Sequence, residues 1–489
     1  MSNQIIIAKS NIDIHLNTKM INRHGLIAGA TGTGKTVSLR VLAESFSQQG
    51  IPVFISDIKG DIASISQQGN TNEKLEARAK ELLISPLTYK SFPVTYWDVF
   101  GEKGHPIRAT ISDLGPLLLS RILNLNEVQS SVLNLVFKIA DDQGLLLLDV
   151  KDLQSLLHYV GENAKEYLTT YGNISAASIG AIQRSILQLT QQGAEKFFGE
   201  PALNIFDLIQ TDQSGHGIIN VLSAERLIET PLVYSTFLLW LLAELFEQLP
   251  ECGDLDKPKL VFFFDEAHLL FSDTPKIVLD KIEQVVRLIR SKGVGVYFVT
   301  QSPLDISENV LKQLGNRIQH ALRAFTPKEE KNIKAVADTF RSNDNIDINK
   351  ALTELRIGEA IISLLQEDGS PGYAERALMY PPTSRLGTIT DAERETLIKS
   401  SLVYGQYEKV VDRESAFELL KNQKSTASNK TPQAATQRNE SSILETISNN
   451  KQVNAFATSA VRAIGTQIGR QIIRGILGSV FGGVGNRRR

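Results

Sequence analysis

The sequence has a single cysteine, Cys252, and almost no imbalance of charge. One cysteine excludes an internal disulfide, which is typical of proteins from a reducing compartment. A formal net charge of −2 over 489 residues excludes a chain that is basic throughout, so any surface for nucleic acid has to be local. The seven histidines are not spaced as metal ligands, and we interpret His268 as a packing or hydrogen-bonding residue.

The sequence also lacks a long hydrophobic run. Its most apolar segment, TFLLWLLAELFEQL at 236–249, contains Glu244 and Glu247 and is shorter than the ~20 residues that cross a bilayer. The first residues, MSNQIIIAKSNIDIH, have neither the basic start nor the apolar centre of a secretory signal. We therefore expect a cytoplasmic protein and, at this length, two or three structural units.

The glycine-rich stretch GLIAGATGTGKT at 25–36 fits the phosphate-loop pattern G-x-x-x-x-G-K-[ST]. The glycines let backbone N–H groups turn toward phosphates at the start of the following helix. Lys35 is expected to reach the β and γ phosphates, and the Thr36 hydroxyl is expected to bind Mg²⁺. The predicted nucleotide-binding residues are Gly29, Ala30, Thr31, Gly32, Thr33, Gly34, Lys35 and Thr36.

A second segment, KLVFFFDEAHLLF at 259–271, supplies the acidic groups that such a site needs. Five consecutive apolar residues predict a strand buried on both faces, which delivers Asp265 and Glu266 to its end. Asp265 is expected to hold Mg²⁺, and Glu266 is expected to orient or deprotonate the attacking water. This pair distinguishes a nucleotide hydrolase from a protein that only holds a nucleotide.

Another apolar strand is predicted in GVGVYFVTQSP at 293–303, and it ends in Thr300 and Gln301. A polar side chain at that position is a candidate for sensing the γ phosphate or positioning the water. The alternative is a cap or turn at the end of the strand.

The stretch SDIKGD at 56–61 ends the strand that follows the phosphate-loop helix. Its D-x-x-G pattern is also that of a GTPase switch, but the chain has no N-K-x-D segment for guanine, which favours adenine. We interpret Asp57, Lys59 and Asp61 as lining the carboxyl edge of the sheet, where ligands bind. A structural surface turn is the alternative.

The order of these patterns predicts an α/β fold, a P-loop NTPase core with a mostly parallel sheet. Further strands are predicted at 94–100, 217–223, 316–325 and 356–365. Residues 112–195 show only helical periodicity, which indicates an all-α insertion. The predicted domains are 1–110 (first part of the core), 111–200 (helical insertion), 201–400 (second part of the core), 401–450 (a flexible polar linker) and 451–489 (a basic amphipathic tail).

Together, the segments 22–36, 56–61, 260–271, 287–306 and 315–327 resemble the HerA/FtsK superfamily of P-loop motor ATPases, and more narrowly its bacterial HerA-like family. The resemblance covers roughly residues 20–385. It implies a RecA-like core that binds ATP with Mg²⁺. It also implies action on DNA and assembly into a homo-oligomeric ring, often a hexamer, with nucleotide between subunits.

In such a ring, an arginine from the neighbouring subunit can stabilise charge on the transferred phosphoryl group. Arg317 and Arg323, on the predicted strand after the sensor, are candidates, and Arg121 in the insertion is another. HerA itself has a small β-barrel before its ATPase core that docks a partner nuclease. Too few residues precede Gly29 for that barrel, so we do not expect a nuclease partner.

Residues 451–489 contain seven Lys and Arg and no Asp or Glu, with apolar residues every three or four positions. Such a segment can bind nucleic acid, an anionic membrane or a partner subunit, or it can simply keep the chain soluble.

The leading hypothesis is a ring-forming DNA translocase or helicase-like ATPase with Glu266, Lys35, Gln301 and Arg317 as catalytic residues. The alternative is a regulatory or assembly ATPase that acts on protein partners, at a membrane surface through the tail. A small-molecule kinase is a third hypothesis.

Overall fold

The computed structural model describes residues 4–253, 255–273, 276–342 and 346–428. The strands are β1 (Gln4–Lys9), β2 (Asp13–Asn17), β3 (Gly25–Ala28), β4 (Val53–Asp57), β5 (Val94–Asp98), β6 (His105–Pro106), β7 (Ile219–Ser223), β8 (Leu260–Phe264), β9 (Val294–Thr300), β10 (Asn316–Gln319), β11 (Glu359–Ser363) and β12 (Glu375–Met379). The α-helices are α1 (Lys35–Gln48), α2 (Glu73–Glu81), α3 (Ile111–Ile122), α4 (Glu127–Gln143), α5 (Val150–Glu162), α6 (Ala164–Tyr171), α7 (Ala176–Gln191), α8 (Pro231–Gln248), α9 (Ala267–Asp273), α10 (Lys276–Ile289), α11 (Glu308–Leu311), α12 (Pro327–Ala337), α13 (Ile348–Glu354), α14 (Asp391–Ser400) and α15 (Ala416–Ser428). Short 3₁₀ helices span Thr18–Arg23, Ala63–Ser66, Ala194–Lys196, Ile205–Leu208, Leu227–Glu229, Arg290–Lys292 and Pro303–Asp305.

The described strands form one twelve-stranded sheet in the order β2-β1-β12-β11-β10-β3-β9-β8-β4-β7-β5-β6. From β10 to β6, every neighbouring pair is parallel. At the other side, β11, β12, β1 and β2 extend the sheet through antiparallel pairs. The predicted α/β class with a mostly parallel sheet is therefore confirmed.

The central strands are apolar throughout because both of their faces are covered. Every residue of β3, β4, β8 and β9 is buried. Successive side chains of a strand point to opposite faces. Phe263 accordingly stacks near Phe46 of α1 at 6.0 Å between ring centroids, and Phe262 packs beside Phe54, which contacts Phe237 of α8. Burying each such ring stabilises the fold by roughly 2–3 kcal/mol.

Several predicted strands are shorter in the structure. The largest difference is at 316–325, where β10 ends at Gln319. Beyond it the backbone makes contacts outside the sheet ladder, since the Ala30 N–H donates to the Ala321 carbonyl at 2.8 Å. Four strands, β1, β2, β6 and β12, are not predicted from the sequence. Each has exposed or half-buried positions, which weakens the apolar signal.

The chain forms two compact units. The first contains the sheet and comprises the chain up to residue 107 together with 203–409. The second comprises 108–202 and the chain from 410, and it contains α3 to α7. Helices α4 and α5 each begin with a capping box, in which the first cap side chain and the third helical side chain satisfy each other's backbone N–H groups.

Within the predicted linker at 401–450, the structure has helix α15 in the part that it describes. Leu420 is buried, and the Phe417 N–H donates to the Asp152 carboxylate of α5 at 3.0 Å. Polar composition favours a linker, but a few well-placed contacts are enough to dock a short helix. The predicted linker beyond residue 428 and the basic tail at 451–489 lie outside the described residues.

Among the residues that the structure describes, no helix has the length and apolar character needed to cross a bilayer.

Candidate active site

The candidate site lies at the edge of the sheet where four neighbouring parallel strands end. Ala28 of β3 pairs in register with Thr300 of β9, and Phe264 of β8 pairs with Ser56 of β4. The phosphate loop follows β3, and the acidic pair 265–266 follows β8. Because the strands are parallel, segments that are far apart in the sequence meet at this edge.

Two glycines give the phosphate loop a backbone that other residues rarely adopt. Gly29 and Gly34 have φ angles of 153° and 117°, in the left-handed region where a Cβ causes strain. A Cβ on Gly29 would also lie 2.5 Å from the Cβ of His320. The tip of the loop, 31–32, is exposed, and α1 begins directly after the loop at Lys35. The N–H groups of the first turn of α1 are therefore available to an anion.

Lys35 lies inside the phosphate loop. Its Nζ donates to the carbonyl oxygens of Gly29 at 2.7 Å and Ala30 at 3.2 Å. Burial lowers the pKa of Lys35, and the negative charge of Glu266 opposes that effect. The next residue, Thr36, is half-buried in the first turn of α1. The structure thus places Lys35 and Thr36 side by side at the start of α1, and their roles toward phosphate and Mg²⁺ stay predictions.

His320 lies beneath the loop and is a residue that the sequence analysis missed. It is fully buried, with Nε2 2.8 Å from the Ser38 hydroxyl of α1 and Nδ1 2.8 Å from the Glu359 carbonyl. Since a carbonyl only accepts, Nδ1 donates and Nε2 accepts from the hydroxyl. Burial lowers the pKa of His320 to about 4, so the ring is neutral at pH 7. Only the pairing of β10 with β3 brings this histidine to the loop.

Asp265 has the properties expected of a magnesium ligand. It is buried, and its Oδ2 has no hydrogen-bond partner among the described residues. Burial and the like charge of Glu266 raise its pKa to about 7. No group of three or more His, Cys, Asp and Glu in the described part of the chain could hold a metal ion. A Mg²⁺ ion at Asp265 and Thr36 would therefore take further oxygen ligands from phosphate and water, which is its usual preference.

Glu266 combines a strained backbone with one unsatisfied carboxylate oxygen. Its φ of 46° lies in the left-handed region, at a cost of roughly 1–3 kcal/mol for a residue with a Cβ. Oε1 accepts from Lys59 Nζ in an ion pair. Oε2 is buried without a hydrogen-bond partner, 3.3 Å from His268 Nδ1. Burial alone would raise the pKa of Glu266, but the hydrogen bond and charge of Lys59 outweigh it and lower that pKa.

The SDIKGD turn is rigid because Asp57 is folded into it. Its Oδ1 accepts from the Gly60 N–H at 2.9 Å, and its Oδ2 accepts from the Ile62 and Ala63 N–H groups at 3.1 and 3.2 Å. Burial raises the pKa of Asp57 to about 6. Asp57 therefore supports the turn, and Lys59 is the residue of the turn that contacts Glu266.

The polar residues at the end of β9 have different environments. Thr300 Oγ1 donates to Asp305 Oδ2 at 2.8 Å. Asp305 Oδ2 also accepts from the Ser302 N–H at 2.8 Å. This is the strand-end cap that the sequence left as an alternative. Gln301 is exposed beside the end of the strand. Of the two, Gln301 remains the candidate for contact with a bound ligand.

Arg317 lies near the amino-terminal ends of the parallel strands, opposite the end that is followed by the phosphate loop. It pairs in register with Leu26, near the beginning of β3, and its Nε donates to the Leu314 carbonyl at 3.2 Å. It lines a cavity of about 370 Å³. The other cationic residues of that lining are Arg23, Arg287, Arg290, Lys312 and Arg341. Arg323 is exposed beyond the end of β10, and Arg121 is exposed in α3 of the other unit.

Comparison with known proteins confirms the resemblance found in the sequence. The family model for the helicase HerA-like C-terminal region matches residues 2–489. The chain is 25% identical over 357 residues to the DNA double-strand break repair helicase HerA of Saccharolobus solfataricus, an alignment that covers 72% of this chain and 64% of that protein. The probable DNA double-strand break repair helicase HerA of Methanocaldococcus jannaschii is 22% identical over 397 residues, covering 73% of this chain and 72% of that protein. The chain thus spans less than two thirds of the length of the Saccharolobus relative.

The fold is similar to that of solved conjugative coupling proteins. The bacterial conjugative coupling protein TrwBdeltaN70 superposes with a TM-score of 0.50 and 14% identity, covering 80% of this chain and 91% of that chain. The plasmid coupling protein TrwB in complex with a non-hydrolysable ATP analogue gives the same TM-score and identity, with 80% and 92% covered. At this identity the likeness shows the fold alone.

The buried His320 predicts a measurable dependence of stability on pH. Its folded pKa of about 4 lies below the ordinary histidine pKa of 6.5, so the unfolded chain binds a proton first as the pH falls. The contribution of the neutral His320 ring to the free energy of unfolding is fully present above pH 6.5 and is lost as the pH falls toward 4. Between pH 8 and pH 5 this amounts to about 2 kcal/mol. Urea denaturation at the two pH values should therefore show a smaller loss of stability for His320→Asn than for the unmodified chain.

His158→Asn, at an exposed histidine of α5, is the matched control and should lose as much stability as the unmodified chain. An equal loss in His320→Asn would contradict the assignment of a buried, neutral ring.

Proposed function

This chain belongs to the helicase HerA-like C-terminal family, and we propose that it is an ATP-hydrolysing motor that moves DNA through a homo-oligomeric ring. The observation that carries the hydrolysis is the position of Glu266. It is a buried carboxylate with one oxygen lacking a hydrogen-bond partner among the described residues, next to Asp265 at the edge that holds the phosphate loop. A protein that only bound nucleotide would have no need for that second, strained acidic residue.

In the proposed reaction, Glu266 Oε2 accepts a proton from water as the water oxygen attacks the γ phosphorus. The bond between the γ phosphorus and the bridging oxygen breaks, which leaves ADP and phosphate. Lys35 and the N–H groups of the loop stabilise the phosphate charge, and Gln301 orients the water or contacts the γ phosphate. Mg²⁺, held by Thr36 and Asp265, would supply positive charge to the phosphate oxygens.

The choice of DNA rests on the relatives, two of which are named as DNA double-strand break repair helicases or probable ones. The choice of a ring rests on Arg317, which lies at the edge of the sheet away from the phosphate loop of its own chain. In a head-to-tail ring, one edge of each subunit faces the opposite edge of the next. We therefore propose that Arg317 acts on the nucleotide of a neighbouring copy.

Two substitutions separate binding from hydrolysis. Glu266→Gln should lower kcat for ATP by at least about 100-fold, because a positioned general base contributes roughly 10²–10⁴-fold, and it should leave ATP binding intact. Lys35→Ala should lower both kcat and the affinity for ATP, because it removes charge from the phosphate site. Steady-state phosphate release and equilibrium titration with a fluorescent ATP analogue measure the two quantities.

Glu225→Gln, at a half-buried acid that pairs with Lys103 in the same unit, is the control and should keep wild-type rates. Full activity in Glu266→Gln would rule out Glu266 as the base.

The DNA hypothesis predicts that the polymer stimulates the ATPase. Hydrolysis should speed up severalfold with single- or double-stranded DNA, because a motor completes its cycle only on its track. Rates measured with each DNA form, with RNA and without nucleic acid test this, together with the oligomer mass in the presence of nucleotide. The same rate under all four conditions would be inconsistent with a nucleic-acid motor.

A trans role for Arg317 predicts recovery of activity on mixing two inactive variants. Arg317→Ala should lose roughly 10³-fold in kcat while still binding ATP, as expected when a phosphoryl-stabilising arginine is removed. Lys35→Ala lacks the nucleotide site but retains Arg317. Mixed rings then contain interfaces with both groups, so part of the wild-type rate should return.

Arg323→Ala, at the exposed arginine beyond β10, is the control and should stay near the wild-type rate. A mixture as inactive as its two components would count against action between subunits.

A further inference from the structure

We infer that Lys59 is a positioning residue, which holds Oε1 of Glu266 so that Oε2 faces the attacking water. The inference rests on the proposed ATP hydrolysis and goes beyond it by assigning a role to the SDIKGD turn. The role depends on the direct contact of Lys59 with Glu266 and on no contact of Lys59 with the phosphate loop.

The turn that carries Lys59 is well suited to positioning. Strands β4 and β8 are parallel neighbours, so Lys59 and Glu266 leave the sheet side by side. Asp57 accepts three backbone N–H bonds from the turn, including one from Gly60, the residue after Lys59. Gly60 itself has a φ of 72°, and a Cβ there would lie 2.3 Å from the Glu225 carboxylate. The backbone on which Lys59 stands is therefore fixed.

Lys59 contacts Glu266 at Oε1, whereas His268 Nδ1 lies 3.3 Å from Oε2. The side chain of Glu266 is 6% exposed, whereas that of Lys59 is 49% exposed, so the lysine can reach in from the solvent side. The two carboxylate oxygens differ, since Oε1 is engaged by Lys59 and Oε2 has no hydrogen-bond partner among the described residues. A carboxylate held at one oxygen presents the other in a defined direction, which general-base catalysis requires.

Other roles for Lys59 make different predictions. A lysine that binds the γ phosphate would contribute mainly to ATP affinity. A lysine that masks Glu266 until nucleotide arrives would restrain the basal rate, and its removal would raise that rate. A positioning lysine contributes to kcat, and only while Glu266 is present.

The test compares Lys59→Met, Lys59→Arg and the double variant Lys59→Met/Glu266→Gln with the unmodified chain. We expect Lys59→Met to lower kcat by roughly 10- to 100-fold, a fraction of what the base itself contributes, with KM and ATP-analogue affinity within about twofold of wild type. Lys59→Arg should restore most of the rate. In the Glu266→Gln background, single-turnover hydrolysis should not slow further on adding Lys59→Met, because residues that act as a unit are not additive.

Lys103→Met is the matched control. Lys103 is a half-exposed lysine that pairs with Glu225, much as Lys59 pairs with Glu266, and its loss should change neither kcat nor KM. Thermal unfolding of each variant checks that it is folded.

The outcomes are distinguishable. A weaker affinity with unchanged kcat, a raised basal rate, or a further loss in the Glu266→Gln background would each overturn the positioning role. If the unmodified chain hydrolyses ATP and Lys59→Met does so equally well, only this inference fails. If the unmodified chain hydrolyses no nucleotide under any condition, the proposed function fails and takes the inference with it.

Discussion

The site depends on the parallel pairing of β3, β9, β8 and β4. In register, the ends of β3 and β9 coincide, as do those of β8 and β4. Each strand contributes one element that is incomplete by itself: a phosphate loop, a polar strand end, an acidic pair and a rigid turn. A slip of β8 by one residue would turn its aromatic rings to the opposite faces of the sheet and break their contacts with Phe46 and Phe54. The same packing that stabilises the core therefore fixes the distances in the site.

Much of this arrangement follows from sequence because the signals are local. The phosphate loop needs glycine for its φ angles, and the strand before Asp265 is apolar on both faces because it is central in a parallel sheet. His320 could not be predicted in the same way. Its role depends on β10 lying next to β3, a pairing between segments almost 300 residues apart that no local pattern specifies. The length of β10 and the helix within the predicted linker are missed for the same reason, since long-range contacts decide both.

The pairing of Lys59 with Glu266 lies between these cases. Charge at the end of a strand marks both residues as candidates, but the pattern cannot distinguish an acid that supports a turn from a residue that contacts a ligand. The hydrogen bonds of the structure distinguish the two cases. The Asp57 carboxylate accepts from three backbone N–H groups of the turn, whereas Lys59 donates to Glu266. Two charged residues of one turn thus have different contacts.

The charge of the site bears directly on the proposed binding of a triphosphate. Lys35 and Lys59 are the cations near Asp265 and Glu266, and Lys59 is already paired with Glu266. Burial is the main reason for the raised pKa of Asp265, and the like charge of Glu266 adds to it, so the negative charge at Asp265 needs a nearby cation. A triphosphate adds more, and magnesium can neutralise only part of it. The cationic cavity around Arg317 lies near the amino-terminal ends of the parallel strands, away from the phosphate loop of its own chain. The proposed head-to-tail ring would bring this cationic surface toward the acidic site of the next copy, where opposite charges attract.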